Sequence, residues 1–271
     1  MGLSINTNAG AILSTVAAKR ASKMMDEAMI RLSTGKRINT AKDDPGALAV
    51  ATRMAAEING LATALRNAND AQAAVDTGEG ALKEVHTLLL RMRELAVQAQ
   101  NGTMQTSDVT ALGVEFDALE AEIDRISTST TWGGKAIIDG SFSTGTEFNI
   151  EVGGAADITH LIKNMAATSL GLVAGNTVGA NSTISKVDAA IASLSEERAK
   201  LGAVSNRLDS TVANLDQIAV NLSASQGRIE DADFAQETAN LAKGQILQQA
   251  ATAMVAQANA SKSTVLTLLR G

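Results

Sequence analysis

The chain has 271 residues, 45% of them hydrophobic but only 2% aromatic, with one Trp, no Tyr and no Cys. A net charge of −6 with no basic face argues against nucleic-acid binding, and zero Cys excludes disulfides and thiolate metal sites. Burial therefore falls to Ala, Leu, Ile and Val, and the single Pro permits long helices packed along slender seams.

The N-terminus lacks the basic start and continuous apolar run of a secretion signal, because Ser4, Asn6, Thr7, Asn8, Ser14 and Thr15 interrupt it. No segment reaches the roughly eighteen apolar residues of a membrane span. The sequence reads as soluble, and export, if any, as leaving no cleaved signal.

Residues Gly2 to Leu32 read as a weakly amphipathic helix. Leu13, Ala17, Ala21, Met24, Ala28 and Leu32 share one face, and Ile5, Ala9, Ile12 and Val16 a second. So little apolar area is marginal alone, and the stretch reads either as a frayed terminus or, more sharply, as a helix that orders only against copies of itself. Gly35 stops it, and a polar connector follows to Asp44, which caps the next helix with Pro45 at its first position.

From Met54 to Ala99 the apolar pattern is the strongest in the sequence. Met54, Leu61, Ala68, Val75, Leu82, Leu89 and Ala96 recur every seven residues. A companion row starts at Ile58 and Leu65, slips by one and continues as Ala71, Val85, Met92 and Ala99. Such a stripe buries itself only against another helix. Gly78 and Gly80 interrupt it at ~1 kcal/mol each relative to Ala, which predicts a bend there.

Asn101-Gly102 closes this helix, and Thr106 or Ser107 is expected to cap the next. Its stripe is Val109, Leu112, Phe116, Leu119, Ile123 and Ile126, and the short link folds it back antiparallel. From Trp132 to Ser182 Gly is frequent and Phe148, Ile150 and Val152 alternate with polar residues, so a β-hairpin flap with loops is expected, with Ile137-Ile138 in a hairpin. About fifty residues are too few for a separate core.

The partner of the central helix is predicted from about Ser182 to Ser225, where Ile184, Val187, Ile191, Leu194, Leu201, Leu208, Val212, Leu215 and Leu222 keep the 3-and-4 spacing. Gln226-Gly227 marks a break, placed opposite Gly35. The tail carries Leu247, Ala251, Met254, Ala258, Ser261, Val265 and Leu268, and pairs with the N-terminal helix. The fold class is thus mainly α: an elongated coiled-coil rod with paired terminal helices and a small β-hairpin region. The seam of the rod is assigned to Leu61, Leu82, Leu89, Leu194, Leu201, Leu208 and Leu215.

Catalytic chemistry has no foothold. His86 and His160 are the only histidines and neither has a metal-spaced partner. The run Thr77-Gly78-Glu79-Gly80 lacks the strand and Lys of a phosphate loop. Asp43-Asp44 reads as capping, and Glu115, Asp117, Glu120, Glu122 and Asp124 as a solvated helix face. No catalytic, metal or cofactor site is expected.

Three stretches carry a family resemblance: RLSTGKRINTAKDDPGALAVATRM, LLLRMRELAVQAQNGT and the tail RIEDADFAQETANLAKGQILQQAATAMVAQANASKSTVLTLLR. They closely resemble bacterial flagellin, over roughly residues 1 to 140 and 183 to 271. Pro45-Gly46-Ala47 departs from the more Ala-rich run usual there. The resemblance implies a subunit of the flagellar filament in a minimal form without large outer domains. It implies an inner coiled-coil domain of residues 1–40 plus 230–271 lining a central channel, and a rod domain of 41–131 plus 183–229. Residues 132–182 would form a short surface-facing segment of that rod. Assembly contacts in the inner domain would come from Leu13, Met24, Leu32, Leu247, Met254, Val265 and Leu268.

By the same resemblance the protein leaves the cell through the flagellar type III apparatus and is extracellular. Its implied partners are copies of itself, an export chaperone, the filament cap protein and the hook–filament junction protein, with no nucleic acid and no membrane. Arg91, Leu95 and Glu115 would contact the innate receptor Toll-like receptor 5, and Ser141, Ser143 and Thr144 are candidates for glycosylation. A low-copy adaptor at the hook–filament junction is the second reading. An enzyme on a flagellin frame and an intracellular coiled-coil scaffold are the third and fourth. The tail wording favours the filament subunit.

Overall fold

The structure, a computed structural model, describes residues 7–140, 163–172 and 178–270, with side chains described up to Lys262. Helix α1 spans Ala9–Thr34. Asn8 caps it through Oδ1, which accepts the Ala11 N–H at 3.1 Å. Gly35 ends it in the left-handed conformation, φ 71°, donating its N–H to the Arg31 carbonyl. Helix α2, Pro45–Ala99, starts as expected, with Asp44 Oδ1 accepting the Ala47 N–H at 2.9 Å. It stays α-helical through Gly78 and Gly80.

The companion row of α2 slips one heptad earlier than expected, between half-buried Ile58 and buried Ala64. Ala64, Ala71, Gly78, Val85, Met92 and Ala99 are all buried at a strict seven-residue interval. Leu65 is only half-buried beside buried Ala64. The small residues at 64 and 78 disguise the row in the sequence.

Helix α3, Thr106–Ser129, begins after Gln105, whose N–H donates to the Asp108 carboxylate at 3.2 Å, so neither Thr106 nor Ser107 is the cap. Strands β1, Thr131–Trp132, and β2, Lys135–Ala136, pair antiparallel around Gly133 and Gly134, both at positive φ as a type I′ turn requires. Ile137 continues the hairpin, its N–H donating to the Thr130 carbonyl at 3.1 Å, and both Ile137 and Ile138 are fully buried. The strand expected at Phe148, Ile150 and Val152 lies outside the described residues.

Helix α4, Asn181–Glu230, runs through Gly227, so the expected break comes four residues later. There the Asp231 N–H donates to the Gly227 carbonyl at 2.8 Å. Helix α5, Phe234–Arg270, is capped by Asp233, whose Oδ1 accepts from the Ala235 and Gln236 N–H groups. The protein divides into two compact units, 57–220 and 1–56 with 221–271.

In unit 57–220 one core joins Leu82, Val85, Leu89 and Met92 of α2, Phe116 and Ile123 of α3, and Val187, Leu194 and Leu201 of α4. Met165, Leu170 and Leu172 close it from the loop 163–172. Hydrogen bonds link Gln72 to Ser205, Glu79 to Arg198, Arg93 to Asp188 and Gln100 to Asn181. Partner numbers on α4 fall as those on α2 rise, so the two helices run antiparallel. The expected seam residues Leu61, Leu82, Leu89, Leu194, Leu201, Leu208 and Leu215 are all buried.

Candidate functional site

In the unit made of the two termini, α1 and α5 pack against each other along a seam of small residues. Ala21 and Ala28 of α1 are buried, as are Gly244 and Ala251 of α5. A Cβ on Gly244 would lie 3.3 Å from both the Cβ and the backbone N of Met25 and 3.4 Å from the Ala21 carbonyl oxygen. Glycine lets the two backbones meet this closely without displacing either. Farther along, Asn8 Nδ2 donates to the Ala258 carbonyl at 3.0 Å, and Arg31 pairs with the nearly buried Glu237 at 2.9 Å. The helices are therefore antiparallel, tied near both ends of the seam.

The connectors lie side by side at the end of this pair. Lys36 bridges Asp231 as an isolated antiparallel pair, Arg37 N–H donates to the Glu230 carbonyl, and Ala232 N–H donates to the Gly35 carbonyl. Lys36 Nζ is 2.9 Å from the Glu230 carboxylate. Asp43 clamps the connector, its Oδ2 accepting from the N–H of Asn39 and from both the N–H and hydroxyl of Thr40. Those backbone hydrogen bonds hold its carboxyl below the usual range. Asp44 is thus a helix cap, while Asp43 ties the turn before it, and among the described residues no cluster of three or more His, Cys, Asp or Glu side chains could hold a metal.

Because the seam takes the small residues, the large apolar ones lie elsewhere. Ile12, Leu13, Val16, Met29 and Ile30 of α1 are exposed, with Leu13 at 70%. Ile246, Leu247 and Met254 of α5 are exposed as well, Met254 at 58%. Of the residues expected at assembly contacts, Leu13, Leu247 and Met254 are exposed in the single chain, whereas Ala21, Ala28 and Ala251 of the same rows are buried. Met24 and Leu32 are half-buried. Val265 and Leu268 fall where side chains are not described. A shallow apolar groove of about 530 Å³, lined by Met29, Ile30, Leu32 and Leu241, runs along this surface.

In unit 57–220, Arg91 Nε donates to Glu115 Oε1 at 2.9 Å, and Nη1 to Glu94 at 3.1 Å, joining α2 to α3 on the surface. Leu95 is not beside them in solvent: it is fully buried, so the expected contact through Leu95 is corrected. Helix α2 has both α3 and α4 to cover, so the row Ala81, Leu88, Leu95 faces inward next to the two heptad rows. Leu90, Val97 and Val114 are the apolar side chains exposed nearby. Ser141, Ser143 and Thr144 lie outside the described residues.

The acidic run of α3 is not wholly solvated either. Glu120 is buried with Oε2 unpartnered among the described residues, and burial, with Asp117 and Asp124 adding repulsion, pushes its carboxyl above the ordinary range. A raised carboxyl costs stability only where the unfolded protein would already be ionised. Glu120→Gln is therefore expected to raise Tm at neutral pH, with the gain vanishing once the pH falls below the ordinary glutamate value. Thermal melts of both proteins across that pH range check it.

The family profile described as bacterial flagellin N-terminal helical region matches residues 5–143, and that described as bacterial flagellin C-terminal helical region matches residues 184–269. The sequence is 40% identical to a flagellin of Halalkalibacterium halodurans, over 90% of this protein and 91% of that one. It is 38% identical to a flagellin of Bacillus subtilis, over 89% and 91%, and 35% identical to flagellin FlaB1 of Treponema pallidum, over 98% and 99%. A crystal structure of Bacillus cereus flagellin aligns at 34% identity and a TM-score of 0.48, covering 59% of this protein and 94% of that one.

Proposed function

The chain belongs to the bacterial flagellin family and is a structural, non-enzymatic subunit of the flagellar filament outside the cell, and from that premise we propose how its two ends serve polymerisation. Residues 1–40 with 230–271 form the inner domain, whose helices gain their full order when neighbouring copies cover them and which lines a central channel. Residues 41–131 with 183–229 form the rod domain, and 132–182 its outward-facing segment.

One observation carries this reading. The seam between α1 and α5 buries mostly Ala and Gly, while Ile12, Leu13, Val16, Ile246, Leu247 and Met254 remain in water. An apolar surface of this kind rimmed by polar residues marks a protein interface. Different patches of one molecule meeting head-to-tail build an open helix. Segments short of buried surface gain it from neighbours and pay the ordering entropy on association.

Circular dichroism on monomer and filament tests the ordering step: the filament should show more helix per subunit, and equal helix content in both would refute it. Deleting residues 1–40 and 230–271 should leave a soluble helical protein that forms no filaments under electron microscopy. Filaments from that deletion would contradict the assignment.

By family likeness the subunit is exported through the flagellar type III apparatus and meets an export chaperone, the cap protein and the hook–filament junction protein. Toll-like receptor 5 is a further partner, for which the Arg91–Glu115 pair with Glu94 supplies a charged surface. Arg91→Ala monomer should then lose receptor signalling with little change in stability, as for an exposed ion pair. Unaltered signalling removes the receptor from the reading. Sugars on Ser141, Ser143 and Thr144 complete the proposal, checked by intact mass of purified filaments.

A further inference from the structure

The sequence contains two Asn-Gly pairs, Asn59-Gly60 and Asn101-Gly102, both within unit 57–220. They stand in opposite backbone settings. Asn59-Gly60 lies inside α2, Pro45–Ala99, where the Gly60 N–H is committed to the helical ladder. Asn101-Gly102 lies in the exposed turn between α2 and α3, closed by the Met104 N–H on the Asn101 carbonyl at 3.0 Å. Gly102 donates its N–H to no group among the described residues. Asn101 Oδ1 accepts from the N–H of Thr103 at 3.3 Å and its hydroxyl at 3.0 Å. Those donors polarise the amide carbonyl, making its carbon the more electrophilic.

We propose that Asn101 is a site of spontaneous deamidation in the folded protein, and that Asn59 is protected by its helix. The Gly102 nitrogen attacks Cγ of Asn101, forming a new bond between the two atoms. The bond from Cγ to Nδ2 breaks, and Nδ2 leaves as ammonia, taking up the proton that Gly102 loses. Water then opens the five-membered imide at either carbonyl, giving aspartate or isoaspartate. One amide and one water become one carboxylate and one ammonium ion, with no change of oxidation state. In a helix the attack requires ψ far from about −42°, so Asn59 reacts only after local opening. The product adds a negative charge beyond the C-terminal end of α2, where the helix already presents its negative pole. Each filament subunit that undergoes it carries a chemical record of its age.

The experiment incubates folded, full-length protein in mildly alkaline buffer and follows two tryptic peptides by mass and by isoaspartyl content. Met54–Arg66 contains Asn59, and Glu94–Arg125 contains Asn101. The Asn101 peptide should convert roughly a hundredfold faster than the Asn59 peptide, the factor corresponding to ~2.7 kcal/mol of local opening. In urea the two rates should converge. Gly102→Ala gives a folded control, because its added Cβ meets nothing within 4 Å and Gly102 does not occupy positive φ. That variant should suppress conversion at Asn101 without altering the melt. Equal rates in the folded protein, or an Asn101 peptide as stable as that of the G102A variant, would overturn the proposal.

Discussion

Gly244→Leu should abolish filament growth while leaving unit 57–220 folded. The leucine side chain has nowhere to go: its first carbon already lies 3.3 Å from the Met25 backbone nitrogen and 3.4 Å from the Ala21 carbonyl oxygen. Backbone cannot yield as a flexible side-chain tip can, so α5 must lift off α1. Overpacking of this kind typically costs ~1–3 kcal/mol. With tenfold in an equilibrium constant for every ~1.4 kcal/mol, and the loss repeated in every subunit, polymer yield falls far more than monomer stability. Gly244→Ala separates shape from propensity. Alanine favours the helix by ~1 kcal/mol and needs the neighbours to shift only a few tenths of an ångström, so filaments should persist at a raised critical concentration. Electron microscopy and sedimentation measure both variants. Normal filaments from Gly244→Leu would show that close α1–α5 contact is dispensable.

Phe116→Ala should be the most damaging truncation in the other unit. Phe116 is fully buried among Leu, Ile, Val and Met from α2, α3 and α4, and Phe-to-Ala changes in such a setting cost ~3–5 kcal/mol. A small domain has only ~5–15 kcal/mol in total. Urea unfolding should show a lowered midpoint at unchanged slope. Val114→Ala, two residues away and 68% exposed, should move stability by no more than ~0.5 kcal/mol.

The long helices are legible because they obey a period that only a packed helix has use for. Leu61, Leu82, Leu89, Leu194, Leu201, Leu208 and Leu215 stand out in the sequence and are buried in the structure. So are the caps: Asp44 before Pro45 and Gly35 after Thr34 each solve a local hydrogen-bonding problem that the sequence states directly. What stays hidden follows from geometry between elements. Periodicity marks Leu13, Leu247 and Met254 as a seam because they are large. The α1–α5 pair instead puts Ala21, Ala28, Gly244 and Ala251 inside, where close approach matters more than area. Ala64 and Gly78 on α2 escape notice because they are small. Leu95 and Glu120 look exposed when one partner per helix is assumed. The wider arc that α2 buries against both α3 and α4 encloses Leu95, and Glu120 is buried on α3 itself.

The one indole of the protein belongs to Trp132 on β1, inside unit 57–220, and no tyrosine accompanies it. Tryptophan fluorescence will therefore report on the surroundings of β1, and α1 and α5 carry no tryptophan or tyrosine of their own to report on them. An emission signal that stays constant through polymerisation carries no information about α1 and α5. Following them by fluorescence requires a dye or a tryptophan engineered at an exposed site such as Phe234.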